Sequence, residues 1–100
     1  MKLQAKTQTE YKDNYITEDV FVRTISKDVT TSNEYTWHRD SNDRSVEVVE
    51  SNGWKLQFDN ELPRLLCEGD LIYIKKKHFH RIIKGEGEGR LCIAGSWPGQ

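Results

Sequence analysis

The sequence predicts an all-β domain, and three observations carry that prediction. Short segments alternating apolar and polar side chains recur from residue 19 onward. Turn-forming clusters separate them at short intervals: "VTTSN", "SNDR", "SNG", "EGD" and "GEGEG". No stretch keeps a convincing helical period of 3.6 residues. One hundred residues suffice for one domain with a modest core.

Taken in order, residues 1–18 are polar and form an arm, with room for one short turn or strand, and residues 19–100 form the domain. "DVFVRTISK" (19–27) alternates with β-branched and aromatic residues and predicts a strand. "EYTWHRD" (34–40) predicts a second and "SVEVVE" (45–50) a third. Asn52-Gly53 supplies the positive φ angles of a tight hairpin into "WKLQFD" (54–59), where Trp54, Leu56 and Phe58 share one face. After Pro63 come "RLLCE" (64–68) and "LIYI" (71–74), the latter apolar on both faces and so expected inside a sheet. "HFHRIIK" (78–84), a flexible "GEGEGR" loop and "LCIAG" (91–95) complete about eight strands.

Composition narrows the function classes. Apolar residues make up 35% and charged residues 31%, with no apolar run long enough to cross a bilayer. The N-terminal "MKLQAKTQTEYKDNY" lacks the apolar segment of a secretory signal, so a cytoplasmic protein is expected. Cys67 and Cys92 then read as reduced, packed thiols. The net charge of −1 gives no global reason to bind nucleic acid or an anionic membrane. "IKKKHFHR" (74–81) gathers four fixed positive charges locally; a solvated turn that keeps a sheet edge soluble accounts for it better than a nucleic-acid patch. No Ser-His-Asp or Cys-His set has supporting context, and "GEGEG" lacks the strand, helix and Lys of a phosphate loop.

Chemistry concentrates in "EYTWHRDSNDR" (34–44). Two apart on a strand, His38 and Asp40 leave the same face while Trp37 and Arg39 leave the other. An imidazole beside a carboxylate is part of a metal site; with Arg44 four residues on, it is equally part of a salt-bridged rim.

The stretch "HRDSNDRSVEVVESNG" resembles the first motif of the small single-domain cupins. His38 stands at its first His, Asp40 at its second, Arg44 at its Glu and Gly53 at its hairpin Gly. "GDLIYIKKKHFHR" is similar to the second motif at Gly69 and His80, with Lys75 and Lys77 where Pro and Gly usually stand. The similarity runs in register over residues 34–95. It implies a single cupin-like jelly-roll barrel, a homodimer, and an interior site for a small molecule. Three ligand positions survive: His38, Asp40 and His80. Two imidazoles and a carboxylate suit Fe(II), or Mn(II), Ni(II) or Zn(II), with positions left open for substrate or oxygen. His78 shares the face of His80 and is a further candidate. Cupins include oxygenases, isomerases, sensors and storage proteins, so the resemblance leaves open whether this chain is an enzyme.

Two alternatives to a metal stand beside it. Asp40 is shorter than the usual ligands, and Arg44 can neither ligate nor lose its proton. A bidentate Arg44–Asp40 pair would occupy the carboxylate and leave two hydrogen-bonded histidines in a metal-free sensing or protein-interaction module. Arg44 directed into the pocket onto Asp40 favours that module; Arg44 directed outward favours the metal. In either case Arg44, with Lys75 and Lys77 at the rim, is a candidate receptor for a small anion. Trp54 and Phe58 are core residues or ligand walls, and Trp97 is docked on the barrel or meets a partner.

Overall fold

The computed structural model describes residues 11–95, so Trp97 lies outside the described residues. Eight strands form two sheets rather than one closed barrel. The larger sheet has the order β1 (Lys12–Tyr15), β2 (Val20–Ile25), β8 (Gly89–Gly95), β3 (Arg44–Glu50), β6 (Leu71–Ile74). The smaller has the order β5 (Arg64–Leu65), β4 (Lys55–Phe58), β7 (His80–Ile83). All pairings within the two sheets are antiparallel.

The core lies between the sheets, built by the inward residues of each alternation. Phe21, Ile25, Val46, Val48, Ile72, Ile74, Leu91 and Ile93 come from the larger sheet. Trp54, Leu56, Phe58 and Ile82 face them from the smaller. Val46 opposes Ile93 on one side and Ile72 on the other, so a one-residue slip would turn this apolar row out to solvent.

The eight strands are not the expected eight. Residues 34–40 do not form a strand. Ser32 caps a 3-10 turn at Asn33–Tyr35 by accepting from the Glu34 amide, and the Thr36 hydroxyl closes the turn on the Asn33 carbonyl. Strand pairing survives only as an isolated bridge between His38 and His80. The missing strand is replaced by β1, in the polar arm, which pairs with β2 of its own chain. "LIYI" is also an edge strand, not an interior one: Ile72 and Ile74 are buried, while Leu71 and Tyr73 are 78% and 56% exposed. Cys67 is exposed rather than packed.

The hairpin forms as its sequence requires, with φ of 60° at Asn52 and 90° at Gly53. The "GEGEGR" loop is held against it. Asn52 accepts from the Glu86 amide and donates its side-chain amide to the Glu88 carbonyl, and the Trp54 indole donates to the Gly87 carbonyl. These contacts leave no room at Gly85, where a Cβ would stand 2.5 Å from the Trp54 ring and 2.6 Å from backbone atoms of Asn52 and Trp54. Gly85→Ala is therefore expected to cost about 3 kcal/mol, the upper end of overpacking penalties. Urea unfolding checks this, and a loss under about 1 kcal/mol would mean that the loop shifts freely.

Candidate metal centre and adjoining cavity

The His38–His80 bridge brings the first motif onto the second. The two residues exchange backbone hydrogen bonds of 3.0 and 2.9 Å, and their rings meet edge-on with centroids 4.4 Å apart. The following loops are tied as well: the Lys77 amide donates to the Asp40 carbonyl, and the Lys76 amide to the Asp43 carboxylate, each at 2.8 Å.

Both rings are oriented in the same way. His38 Nδ1 lies 2.8 Å from the Thr36 carbonyl and His80 Nδ1 lies 2.7 Å from the His78 carbonyl. A carbonyl only accepts, so each Nδ1 carries the proton, and in the neutral ring Nε2 presents its lone pair. This arrangement commonly fixes metal-binding histidines. His80 Nε2 is 3.4 Å from Asp40 Oδ2, and His38 Nε2 is 3.4 Å from Glu34 Oε1. One ligand atom each from His38, Asp40 and His80 lies within 4.8 Å of the others.

A divalent cation fits these donors. Two neutral imidazoles would aim lone pairs at carboxylates, an arrangement that needs a proton or a cation between them. Asp40 Oδ2 is buried and has no hydrogen-bond partner. A charged N–H···O hydrogen bond is about 2.7–2.9 Å long, shorter than the separations here. Ligands about 2.1 Å from a tetrahedral metal stand about 3.4 Å apart, which is the His80–Asp40 separation, while the three ligand atoms as a set lie within 4.8 Å.

The second alternative also has support. Arg44 lines a cavity and its Nε is 3.7 Å from the same Asp40 oxygen. The contact is long and made through Nε, not the bidentate pair that would occupy the carboxylate fully. Burial opposes ionisation of Asp40, but the His80 contact and the charge of Arg44 together hold its carboxyl below the usual range.

Other expected residues lie elsewhere. His78 is outside the three-residue group and stacks on Phe58, with centroids 4.7 Å apart. Phe58 is buried beneath both His78 and His80. Trp54 is 2% exposed, in the core and away from the cavity. Lys75 and Lys77 are exposed and do not line the cavity, so the positive charge there comes from Arg39 and Arg44. Trp37 is half-exposed beneath the Arg81 guanidinium, 5.0 Å from its ring centroid.

Glu34 and Arg23 are two participants the sequence reading missed. In a strand, Glu34 and His38 would share a face at too great a separation to meet; the 3-10 turn folds Glu34 back onto the ring. Arg23 occupies an inward position of β2 and is 7% exposed. It binds Asp13 bidentately at 2.9 Å per bond and Glu34 at 3.0 Å, and the Tyr11 ring centroid lies 3.7 Å from its guanidinium carbon. A cation at buried parity in "VFVRTI" was the available signal.

These contacts set the pH response. The Glu34 carboxylate beside its Nε2 raises the pKa of His38 above its ordinary 6.5; burial opposes the shift, and the Thr36 carbonyl assists it. Burial also opposes ionisation of Glu34, but His38 and Arg23 hold its carboxyl below the ordinary 4.5. The His38 contribution to stability is complete below pH 6.5 and is lost as pH rises through the higher folded value. The Glu34 contribution is complete above pH 4.5 and is lost as pH falls through the lower folded value. Chelator-treated protein is therefore expected to melt highest between pH 4.5 and 6.5, with His38→Gln flattening the alkaline limb. A pH-melting series on both proteins checks this; an unchanged alkaline limb in the variant would exclude His38 as its source.

No protein-family model matches the chain, and no curated protein does. Solved structures do. The DMSP lyase DddQ from Ruegeria pomeroyi superposes with a TM-score of 0.64 at 12% identity, over 84% of this chain and 41% of that one. An RmlC-like cupin with a double-stranded β-helix fold from Methanocaldococcus jannaschii gives 0.63 at 15% identity, over 96% and 85%. HppE, solved with Fe(II) and substrate, gives 0.61 at 12%, over 94% and 57%. The chain thus spans about two fifths of the DMSP lyase. At these identities the likeness is one of fold, and the fold is that of the cupins. Among the described residues no helix is long and apolar enough to cross a membrane.

Proposed function

We propose that this chain binds a divalent metal through His38, Asp40 and His80, and a small anionic molecule beside it at Arg44. The observation that carries the reading is the buried, unbonded Asp40 Oδ2 facing the Nε2 of a ring whose Nδ1 is already committed. Fe(II), Mn(II), Ni(II) and Zn(II) all suit the donor set. Such an ion, where bound with open positions, would supply a Lewis acid or an oxygen-binding position. The residues themselves would hold the Nε2 lone pairs in place through the Thr36 and His78 carbonyls, keep Asp40 ionised, and orient an anionic substrate on Arg44. The reaction classes that follow are oxygenation and isomerisation. Two solved proteins of the same fold, a lyase and an Fe(II) protein with its substrate, support an enzyme as the setting. The protein would act in the cytoplasm as a homodimer; sedimentation velocity showing only monomer removes the dimer.

Elemental analysis of untagged protein purified without chelator, beside a His38→Ala/His80→Ala variant, tests the metal. Near-stoichiometric metal in the parent and none in the variant is the expected result. A second reading is favoured by one observation, that Arg44 faces the cavity and touches Asp40. It makes the chain a metal-free barrel for ligand sensing or protein contact. Parent protein that lacks metal and takes up neither Fe(II) nor Mn(II) decides for it.

A further inference from the structure

The antiparallel bridge that sets His38 against His80 sends both imidazoles to one face, and so it sets the neighbours of both histidines on the other. There Trp37 stands across from Arg81, and Arg39 across from Phe79. The Arg81 guanidinium lies over the Trp37 ring, 5.0 Å from its centroid, and the Arg39 guanidinium over Phe79 at 5.2 Å. Both rings stay open to solvent, Trp37 at 45% and Phe79 at 40%. They hold diagonal positions across the bridge, a placement that separates side chains by about 7–8 Å.

The surroundings of the two rings are cationic. Arg81 donates through Nε to the Gln57 side-chain oxygen at 2.9 Å, and neither it nor Arg39 is in an ion pair among the described residues. Lys55 is exposed on the same face of β4 as Gln57. Turn 75–77, three exposed lysines, ends two residues before Phe79. Two carboxylates lie nearby, on the turn that ends β4. The Asp59 amide donates to the Phe79 carbonyl at 3.0 Å, and the Glu61 carbonyl accepts from the Gln57 side-chain amide at 2.9 Å. Six fixed cations thus stand against two acids, in a chain whose net charge is only −1. A basic run by itself suits a solvated turn; two exposed rings brought beside it by the fold give it a different use.

From this array we infer that the outer face of the smaller sheet binds single-stranded nucleic acid, with bases on Trp37 and Phe79 and phosphates on Arg39, Arg81 and Lys55. Aromatic rings stack bases of any sequence, and guanidinium groups extend such a platform. The diagonal spacing exceeds the roughly 3.4 Å between stacked bases, so the two rings suit bases drawn apart from one another. A duplex keeps its base faces covered and offers the rings nothing. An acidic peptide would answer the cations but give the rings no planar face to stack on. His38 and His80 point to the other side, so the inference stands independently of the metal.

Fluorescence anisotropy tests it with end-labelled oligo-dT, oligo-rU and a DNA duplex of equal length, titrated at salt from about 50 to 200 mM. The single strands are expected to bind the parent at least about tenfold more tightly than the duplex. Trp37→Ala/Phe79→Ala is expected to weaken single-strand binding by about thirtyfold and to leave its salt dependence unchanged. Arg39→Gln/Arg81→Gln is expected to flatten the slope of log affinity against log salt by about 1.4, the loss of two phosphate contacts. Asp59→Asn, a change at the exposed margin, is expected to tighten binding by about twofold. Absence of single-strand binding by the parent at the lowest salt, or duplex binding as tight, overturns the inference. So does polyglutamate that displaces the single strand at equal charge, which would assign the face to an acidic peptide. Should the ring variant fail to fold, an unchanged salt slope in Arg39→Gln/Arg81→Gln overturns it alone.

Discussion

Arg23→Ala is expected to lower the unfolding free energy by about 3 kcal/mol, the lower end of the cost of breaking a buried ion pair. Three features set the size. The Arg23 side chain is 8% exposed, so its charge has little water to replace its partners. It makes three charge-assisted hydrogen bonds to two carboxylates, geometry that lysine cannot reproduce. Burial works against its charge, yet Asp13 and Glu34 hold its pKa above the ordinary value. Asp13 and Glu34 keep some water, at 18% and 19% exposure, which places the estimate at the lower end rather than near 5 kcal/mol. Urea unfolding of Arg23→Ala beside Arg23→Lys measures it. A loss of about 1 kcal/mol or less in both would mean that the two carboxylates rehydrate without difficulty.

The second large effect concerns Asp40 and its neighbour. Asp40→Asn is expected to weaken divalent metal binding by at least about a hundredfold, since an amide brings no charge to the site. Arg44→Gln is expected to act in the opposite direction, strengthening it by about tenfold. The guanidinium is 3.7 Å from Asp40 Oδ2 and about a third exposed, so water would screen much but not all of its repulsion of a metal bound there. Manganese(II) titration followed by electron paramagnetic resonance reads both variants. Opposite shifts place a metal and a guanidinium in competition for one carboxylate. If neither the parent nor Arg44→Gln binds, Asp40 serves no metal.

The legible part of this protein was what period two and turn chemistry encode. "SVEVVE" placed Val46 and Val48 inward and left Val49 exposed, "WKLQFD" placed Trp54, Leu56 and Phe58 inward as alternation requires, and Asn52-Gly53 made its hairpin. The spacing of His38, Asp40 and His80 pointed to residues that the fold does bring together, although His38 and Asp40 do not stand on a regular strand. Three features were beyond a strand-by-strand reading. The Ser32 cap and 3-10 turn were hidden because "EYTWHRD" alternates convincingly, and local side-chain hydrogen bonds overruled the alternation. The exposure of Leu71 and Tyr73 follows from sheet order, which no single segment contains. The role of the glycines at 85 and 89 depends on Trp54, more than thirty residues away, lying against them.

The two sides of the cavity beside Arg44 have a consequence for how such a protein can change. One side belongs to the loop that also carries Asp40; the other belongs to a hairpin turn at the margin of the larger sheet, outside the three-residue group. The shape of the cavity and the arrangement of His38, Asp40 and His80 therefore depend on separable segments. Substitutions at residues 15–19 are expected to reshape the cavity without moving those three side chains. The hairpin is not wholly independent, because Asp13 on its first strand anchors Arg23. It could be rewritten residue by residue, but not removed.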